Sequence, residues 1–542
     1  MTPNDLYAAV RRRSEQSDAP LCLPSDSPPY EGSWARLCAA TEATEAWLRA
    51  EGVRPGAVVA VLGEPEFGIL AAMFATWRLG ATVTVLANPA GAKRSHTGYG
   101  DWLRTRLRQV DASVLISSSP EVDLDWPRSA TEGPHGGHCR TNPDSPAPRT
   151  GVAPAILQLT SGSTGEPKIV AVTADAVFAN VAATTRHLGV DQTDSVVSWL
   201  PLNHDMGLIG TLLLPALTGL ALRLSAPEKF VRSPMTWLTD LSRQRATMTF
   251  APNFAYSLIT RYGRIRKPSS ELDLSAMRHC LNGSEPINGQ DFAAFGEFAA
   301  GHGMARTALR PGYGMAEVGL VLTTVLPGQP IRMLTLSANS LRAGARIERE
   351  QGGTTVISCG TPLPGYRVGI RSSAGEVLPD GQVGEICVSG PSLFAGYPGK
   401  PRAENFWPDG AYRSGDLGFL DDGEVFVCGR LKDVIIVRGE NLVPHELEAR
   451  AARVDGVRAG NVAAIGVRGS DGAEGVVIVA ETARRDRHPE VRALINREIV
   501  DAFRLRPMDV VLLGSGELPK TTSGKLQRQL CKENYLRGVW SC

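Results

Sequence analysis

The sequence predicts an α/β fold with a large N-terminal domain, made of two parallel-sheet subdomains and a β subdomain, and a small α+β C-terminal domain. The chain has 542 residues, more than one hydrophobic core usually contains, which indicates several domains. Its first part alternates β-branched runs with apolar segments at helical spacing, the pattern of βαβ units. From residue 356 onward, short strands alternate with Gly/Asp turns, which is typical of an antiparallel sheet.

The composition is that of a globular protein in water, with 43% hydrophobic and 21% charged residues. The formal net charge is +1, so neither nucleic acid nor an anionic membrane is indicated as a main partner. Nine cysteines lack paired spacing, which favours a reducing compartment. The strongest apolar stretch, 211–224, is too short to cross a bilayer, and the N-terminus opens no apolar signal region. We therefore expect a cytoplasmic protein.

The first parallel unit is predicted from strands and helices in alternation. The segment 125–150 follows it, is rich in Pro, Gly and His, and predicts an exposed loop in which His135, His138 and Cys139 are solvated rather than bound to a metal. Five cysteines in apolar contexts are predicted to be buried thiols: Cys22, Cys280, Cys359, Cys387 and Cys428. Periodicity places helices at 6–13, 34–52 and 67–79, and strands at 58–62, 81–86 and 113–116.

The second parallel unit follows from residue 173. Thr173 is a candidate helix cap, and Gly189 is a candidate stop for a helix that runs to His187. Strands are expected at 196–200 and 247–253 and again near residue 280. Each of these strands leads into polar or glycine-containing residues, and ligands bind at the carboxyl ends of such strands.

The most informative stretch is the loop 160–168, which lies between two apolar, strand-like runs. Its glycines permit close backbone approach, its hydroxyls add donors, and Lys168 adds a positive charge. Such a loop suits a polyphosphate, although a polar hairpin turn is the alternative interpretation. The order of residues does not fit the P-loop pattern. The residues concerned are Thr160, Ser161, Gly162, Ser163, Thr164, Gly165 and Lys168.

Four other residues stand in contexts that favour a binding or catalytic role. His204 follows the strand at 196–200, Tyr313 lies between glycines, Asp416 lies in a Ser-Gly-Asp turn, and Lys525 follows Ser-Gly in a polar loop. A ring between glycines can stack on a planar base, and a carboxylate can accept hydrogen bonds from ribose hydroxyls. The alternatives are a structural histidine, a turn with an incidental tyrosine, and a solvated aspartate and lysine.

Taken together, these stretches resemble the adenylate-forming superfamily, and most closely its fatty acyl-AMP ligases and acyl-CoA synthetases. The matching stretches are 160–168, 312–317, 412–416, 429–433 and 519–525, in that order, and they extend over nearly the whole chain. The stretches 200–210 and 282–286 are similar to the acyl-AMP ligase signature, and 326–359 looks like the extra segment of those ligases. The aromatic residue usual near the connector is absent at 439–444.

The resemblance implies an N-terminal adenylation core over 1–429 and a mobile C-terminal domain over 430–542, with the hinge at Lys432. It implies ATP and Mg²⁺ as cofactors and a carboxylic acid as substrate. The catalytic residues implied are Lys525, His204 and Glu317, and the metal is assigned to Glu317 and Thr164. Nucleotide binding is implied for the loop 160–168 and for Gly283, Ser284, Glu285, Gly312, Tyr313, Gly314, Met315, Asp416 and Arg430. An apolar acyl pocket is expected around Trp199, His204, Phe250, Asn253 and Val318.

The reaction implied is formation of an acyl-adenylate with release of pyrophosphate, then transfer to the phosphopantetheine thiol of an acyl carrier protein in lipid or secondary-metabolite biosynthesis. The main alternative is an acyl-CoA synthetase, with a polycyclic or aryl acid among its candidate substrates. A non-catalytic acyl or nucleotide binder and a luciferase-type oxidase are more distant alternatives. No residue has to act as a nucleophile or general base, because the acid is already ionised at pH 7.

Overall fold

The computed structural model describes residues 1–540 except 26–27, 88–98, 119–121, 123, 128–131, 145–152, 161–167, 266–270, 438–439, 469–473, 483–486 and 521–525. Within these ranges the chain forms two large sheets with helices, a smaller antiparallel sheet, and a separate C-terminal unit. The predicted fold class, a large α/β N-terminal domain with a small α+β C-terminal domain, is confirmed.

The first subdomain is built on a six-stranded sheet. Its four central strands run parallel, and an antiparallel strand closes each edge. The strands are, in spatial order, His138–Thr141, Val114–Ser117, Val58–Leu62, Thr82–Leu86, Ile156–Thr160 and Lys168–Val172. Alternate residues of the central strand 58–62 face two different apolar clusters, so both faces of the sheet are covered. The helices of this part are Trp34–Ala50, Phe67–Arg78 and Tyr99–Gln109.

The second subdomain is built on a nine-stranded sheet, whose six middle strands are parallel. In spatial order the strands are Thr361–Pro362, Val321–Thr324, Leu309–Gly314, His279–Asn282, Met248–Ala251, Ser195–Ser198, Ala221–Leu224, Pro20–Leu23 and Tyr30–Ser33. Its helices are Pro3–Ser14, Ala174–Leu188, the π-helix Met206–Leu213, Leu214–Thr218, Pro227–Arg232, Met235–Arg243, Asn253–Ile265 and Gly289–Ala300.

The β subdomain consists of a four-stranded antiparallel sheet and a two-stranded hairpin that share one apolar cluster. The sheet contains Arg367–Arg371, Gly384–Ser389, Tyr412–Asp421 and Glu424–Arg430, and the hairpin contains Met333–Leu336 and Thr354–Ile357. The hairpin lies inside the extra segment expected at 326–359. Short 3₁₀ turns occur at Arg306–Ala308, Ala316–Val318, Ala338–Ser340 and Arg402–Glu404.

Residues after 434 form a unit with its own apolar clusters. A hairpin of Ile435–Val437 and Glu440–Leu442 precedes a mixed three-stranded sheet of Val457–Arg468, Glu474–Thr482 and Asp509–Leu513. The helices are Pro444–Ala451, His488–Phe503 and Arg528–Leu536. Because the clusters contain only residues of this unit, its core is independent of the N-terminal core.

Several sequence predictions are confirmed at the level of single residues. The helix predicted after Thr173 spans Ala174–Leu188; the Thr173 side chain accepts a hydrogen bond from the Ala176 N–H, and Gly189 ends the helix with a φ of 63°. Of the five cysteines predicted to be buried, four are buried and Cys22 is partly exposed. Among the residues described, no helix combines the length and the apolar character that a bilayer crossing requires.

Two predictions about irregular segments are wrong. The expected loop at 125–150 contains the strand His138–Thr141, which pairs with Val114–Ser117, and the Cys139 side chain is fully buried there. The Ser-Gly-Asp stretch that ends at Asp416, predicted to be a turn, instead forms part of the strand Tyr412–Asp421. This strand continues because Gly415 takes a φ of 71° and the pairing shifts after Leu417, which accommodates the turn-like residues as an irregularity.

Candidate active site

The predicted phosphate loop connects the last two strands of the six-stranded sheet. Thr160 and Lys168 are direct partners across this antiparallel pair, and the Thr160 hydroxyl donates to the Lys168 carbonyl at 3.4 Å. The loop therefore leaves and re-enters the sheet at adjacent positions. The residues predicted to contact phosphate between them, Ser161, Gly162, Ser163, Thr164 and Gly165, lie outside the described residues.

Lys168 points into a hydrogen-bonded group around Tyr397. The Lys168 ammonium donates to the Tyr397 hydroxyl at 3.2 Å, and that hydroxyl donates to Glu317 Oε1 at 2.5 Å. The Tyr412 hydroxyl lies 3.0 Å from the Tyr397 hydroxyl. The structure thus brings together the predicted phosphate ligand Lys168 and the predicted metal ligand Glu317, through two tyrosines that the sequence analysis did not select.

The electrostatic surroundings of Lys168 come from distant parts of the chain. Burial lowers the pKa of Lys168, the charge of Glu317 raises it, and the cations Lys432, Arg430 and Lys400 lower it further. The connector 429–433 therefore lies close enough to the strand Lys168–Val172 for its charges to act on Lys168. An anion bound beside Lys168 would be attracted by several cations at once.

A second group of side chains lies at Asp416. Tyr313 donates a hydrogen bond of 2.7 Å to Asp416, and the Arg430 guanidinium lies 3.2 Å from the same carboxylate. Burial raises the pKa of Asp416, and Arg430 opposes that effect. The three residues predicted to bind the nucleoside are therefore adjacent, although their motifs are separated by about 100 residues of sequence.

The glycine-containing stretches 283–285 and 312–315 approach each other closely. A Cβ at Gly283 would lie 3.2 Å from the Gly312 carbonyl oxygen, and one at Gly314 would lie 1.8 Å from the Leu320 carbonyl oxygen. Gly314 therefore has no room for a side chain. Ser284 takes a φ of 74°, unusual for a residue with a Cβ, and such strain is concentrated at ligand sites. Met315 follows directly, before the turn Ala316–Val318.

The predicted acyl-pocket residues lie around the start of the π-helix Met206–Leu213. Trp199 stacks on Phe230 with ring centroids 3.8 Å apart, and a Cβ at Gly210 would lie 3.3 Å from the Phe250 ring. Asn253 accepts a hydrogen bond from Asn282 at 3.2 Å, and the Phe254 N–H donates to Glu285. Val318 is fully buried. This part of the N-terminal core is lined mainly by aromatic and aliphatic side chains.

His204 lies between the strand Ser195–Ser198 and the π-helix. Its backbone N–H donates to the Pro201 carbonyl, and Gln158 donates to the neighbouring Asn203 carbonyl at 2.6 Å. Gln158 stands two residues before Thr160. The carboxyl end of the strand Ile156–Thr160 and the segment that carries His204 are therefore in direct contact. A site shared by a phosphate and an acyl group would require such a contact.

The predicted catalytic residue Lys525 lies outside the described residues, but the residues beside its loop are described. Lys520 and Leu526, which flank residues 521–525 in sequence, pair in an antiparallel β-bridge. Burial lowers the pKa of Lys520, whereas the charges of Glu481 and Glu285 raise it. Because Glu285 belongs to the predicted adenine site, the base of the Lys525 loop lies near that site.

The predicted hinge Lys432 lies next to a partly open cavity of about 210 Å³. The cavity lies between the extra segment and the connector, and its lining residues are Leu341, Arg342, Ala343, Leu417, Leu431, Val434 and Val443. Just before the hinge, Gly429 has a φ of 153°, and a Cβ there would lie 2.9 Å from Val443. The backbone at the connector is thus fixed in a conformation that favours glycine.

The described residues place Lys168, at the end of the predicted phosphate loop, in one hydrogen-bonded group with Glu317. They place Tyr313 and Arg430 against Asp416. A family model described as AMP-binding enzyme matches residues 16–398. The chain belongs to the AMP-binding enzyme family. Enzymes of this family use ATP and form acyl-adenylates, so the predicted enzyme class and the use of ATP are confirmed.

Named relatives of this AMP-binding enzyme are ligases. It is 30% identical to the long-chain-fatty-acid–AMP ligase FadD32 of Mycolicibacterium smegmatis, over 95% of this chain and 90% of that one. It is 35% identical to the medium-chain-fatty-acid–[acyl-carrier-protein] ligase JamA of Moorena producens, over 71% and 68%. A solved structure from a study of fatty acyl-adenylate ligases of E. coli and L. pneumophila matches with a TM-score of 0.84 at 27% identity, over 99% and 98%.

The donor set around Glu317 fits one mode of magnesium binding. Within the described ranges, no group of three or more His, Cys, Asp or Glu side chains is placed to hold a metal ion. Mg²⁺ in nucleotide enzymes is often held by one or two carboxylates together with substrate phosphates and water. Glu317, linked to Lys168 through Tyr397, fits that arrangement, whereas a cage made only of protein groups does not.

Proposed function

We propose that this AMP-binding enzyme activates a hydrophobic carboxylic acid as its acyl-adenylate and transfers the acyl group to the phosphopantetheine thiol of an acyl carrier protein. The observation that carries the proposal is that two polar groups, Lys168 with Glu317 and Tyr313 with Asp416, lie close enough that, besides burial, the charge of Glu317 raises the pKa of Asp416. The first suits a metal-bound polyphosphate, and the second suits a nucleoside. The apolar residues around Trp199 and Phe250 suit a hydrophobic acid.

The adenylation step brings together two anions, a carboxylate and the α-phosphate of ATP. The difficulty is electrostatic, so the protein accelerates the step by positioning the reactants and by aiming donors at the developing charge. In the proposal, the 160–168 loop with Lys168 holds the β- and γ-phosphates, Tyr313 stacks on adenine, and Asp416 with Arg430 holds the ribose. Glu317 and Thr164 would hold Mg²⁺, which would supply further charge neutralisation. Lys525 contacts the attacking carboxylate and the α-phosphate.

The second step is assigned to a rotation of the C-terminal domain at Lys432 that withdraws Lys525 and admits the thiol. His204 would then lie near the acyl carboxylate and the entry of the thiol. The name of the relative JamA states a carrier protein as acceptor, which favours a carrier over CoA. The segment 326–359 also favours a carrier protein, because it resembles the extra segment that sets acyl-AMP ligases apart from acyl-CoA synthetases.

The test is ATP–pyrophosphate exchange with a panel of fatty, aryl and polycyclic acids. We expect exchange that depends on the acid, with preference for a hydrophobic one. Thioester formation is then measured with a phosphopantetheinylated carrier protein and with CoA in separate reactions, and the carrier is the expected acceptor. A CoA thioester alone would establish the acyl-CoA synthetase alternative. Nucleotide binding without any exchange would establish a non-catalytic binder.

Lys525→Ala tests the predicted catalytic lysine. We expect the rate of adenylation to fall on the order of 100-fold, as when one donor to a transition state is removed, while ATP still binds. Lys532→Ala is the matched control, since Lys532 lies on the helix Arg528–Leu536 and outside the predicted site. A rate near that of the wild type in Lys525→Ala would contradict the assignment.

A further inference from the structure

The hydroxyl of Tyr397 is the centre of a buried hydrogen-bonded group. It lies 3.2 Å from Lys168 Nζ, 2.5 Å from Glu317 Oε1 and 3.0 Å from the Tyr412 hydroxyl. The exposed fraction is 6% for Tyr397, 8% for Glu317 and 2% for Tyr412. Hydrogen bonds in such a site are strong, and each partner restricts the orientation of the others.

The proton positions in this group follow from the capacity of each partner. A phenol has one proton to donate and two lone pairs to accept with, an ammonium group only donates, and a carboxylate oxygen accepts. The Tyr397 proton therefore points to Glu317, and Lys168 donates to Tyr397. Because the single proton of Tyr397 goes to Glu317, Tyr412 is the donor in the contact between the two tyrosines. The hydroxyl of Tyr397 is then fully used, with one hydrogen bond given and two received.

The segment that carries Tyr397 makes hydrogen bonds to the backbone at Glu317 as well as to its side chain. The Phe394 N–H donates to the Glu317 carbonyl at 2.8 Å, and the Ser392 hydroxyl donates to the Val318 carbonyl at 2.5 Å. Residues 392–397 thus fix the backbone of 317–318 as well as the Glu317 side chain. A single segment determines where this carboxylate lies.

We propose that Tyr397 is a positioning residue for the binding of Mg²⁺·ATP. Its hydroxyl holds the Glu317 carboxylate through Oε1 in an orientation that would suit the metal, and it keeps Lys168 beside that carboxylate for the phosphates. This inference rests on the proposed function, in which Glu317 binds the metal and Lys168 binds phosphate. Partners that hydrogen-bond a metal ligand fix its orientation, and their removal typically lowers metal affinity about 10- to 100-fold.

A purely structural role for Tyr397 makes a different prediction. Its ring packs against Phe394, at a centroid distance of 4.9 Å, and the Lys168 ammonium lies 4.7 Å from the ring centroid. Tyr397→Phe keeps the ring and both of these contacts and removes only the hydroxyl. If the ring alone matters, this variant changes stability slightly and leaves the Mg²⁺ dependence as it is.

The experiment compares Mg²⁺ titrations of the wild type, Tyr397→Phe and the control Tyr7→Phe. Tyr7 is also buried and donates to the Cys38 carbonyl, but it lies on the helix Pro3–Ser14. ATP binding is measured by calorimetry without acid, and ATP–pyrophosphate exchange is measured with the best acid. For Tyr397→Phe we expect that the Mg²⁺ concentration giving half-maximal ATP binding and half-maximal exchange rate is about 10- to 100-fold higher than for the wild type. At saturating Mg²⁺ the maximal exchange rate should be largely restored.

Superimposable Mg²⁺ curves for Tyr397→Phe and the wild type would overturn the proposal, and so would a lost exchange rate that saturating Mg²⁺ does not restore. If Tyr397→Phe does not fold, Tyr412→Phe decides, because loss of the hydrogen bond that Tyr397 receives from Tyr412 weakens the one that Tyr397 donates to Glu317. A smaller shift in the same direction is expected, and an unchanged curve would overturn the proposal. Because ATP binding is measured without acid, absence of exchange in the wild type would count against the proposed function and not against the role of Tyr397.

Discussion

The Arg528 guanidinium joins Asp433, at 3.1 Å, to Glu448, which it contacts through both carboxylate oxygens at 2.7 Å. Asp433 directly follows the predicted hinge Lys432, and Arg528 stands three residues after Lys525. The residue that follows the hinge and the residues that follow the lysine loop are therefore joined in one unit. A rotation at Lys432 would carry the lysine loop with it.

Replacement of Arg528 should destabilise the C-terminal domain. Burial lowers the pKa of Arg528, but Glu448 and Asp433 outweigh that effect and raise it, so the buried Glu448 and the partly buried Asp433 both depend on this cation. For Arg528→Ala we expect a loss on the order of 3 kcal/mol in unfolding free energy, because its removal leaves the buried Glu448 charge uncompensated. Chemical denaturation measures it. Arg528→Met with Glu448→Met should recover part of the loss, and equal stability of Arg528→Ala and the wild type would exclude this role.

Lys432→Pro tests the hinge. Proline fixes φ and so restricts backbone rotation at this position. We expect thioester formation to slow more than adenylation, measured in separate assays of the two half-reactions. Lys432→Ala is the control, because it removes the charge and keeps the backbone free. An equal loss in both half-reactions for Lys432→Pro would argue against a hinge at this residue.

Asp416→Ala should weaken ATP binding by about 10- to 100-fold, since hydrogen bonds to a charged group contribute about 1.5–3 kcal/mol. Its carboxylate, which Tyr313 and Arg430 hold in place, is the predicted ribose acceptor. Calorimetric titration with ATP measures the effect. Tyr313→Phe keeps the ring and loses one hydrogen bond, so a smaller loss is expected. Equal losses in the two variants would mean that the aspartate serves chiefly to hold the tyrosine.

Glu446 makes stability depend on pH. Burial raises its pKa to about 7, against the effects of Thr354 and Arg342, from a value of 4.5 in the unfolded chain. The folded state therefore binds the proton more tightly, and stability falls as pH rises from 4.5 through 7. At about 1.4 kcal/mol for each tenfold change in the protonation equilibrium, the loss is on the order of 3 kcal/mol.

Glu446→Gln should remove this dependence. We expect the variant to gain stability relative to the wild type between pH 5 and pH 8, by denaturant titration at each pH. Glu350→Gln, at an exposed position, is the control and should follow the wild type. Parallel pH profiles for Glu446→Gln and the wild type would show that the Glu446 carboxyl is not the group responsible.

Local signals in the sequence were sufficient wherever local chemistry decides the structure. The helix Ala174–Leu188 is predicted almost to the residue, because its cap Thr173 directly precedes it in sequence and its stop Gly189 directly follows it. The strand His138–Thr141 was missed, because its surroundings have the composition of a loop and only its pairing with Val114–Ser117 makes it a strand. Its formation depends on a contact that no local pattern contains.

In the candidate site too, local motifs predict some residues, whereas others are identified only by contacts between distant parts of the chain. The order of motifs pointed to Lys168, Glu317 and Asp416, and the structure brings each of them into a polar group. Tyr397 was missed, since its partners are 229 residues away at Lys168 and 80 residues away at Glu317. A buried tyrosine beside Phe394 is indistinguishable in sequence from a core aromatic. Only the three-dimensional contact reveals its polar function.

The strand Pro20–Leu23 pairs in parallel with Ala221–Leu224, so the edge of the nine-stranded sheet joins chain segments about 200 residues apart. On a ribosome that adds about 5–20 residues per second, the early strand waits roughly 10–40 s for its partner to be synthesised. Through that interval the growing chain carries two short strands, Pro20–Leu23 and Tyr30–Ser33, with only each other to pair with. Nascent chains stalled before residue 221 are therefore where chaperone capture and aggregation should be most pronounced.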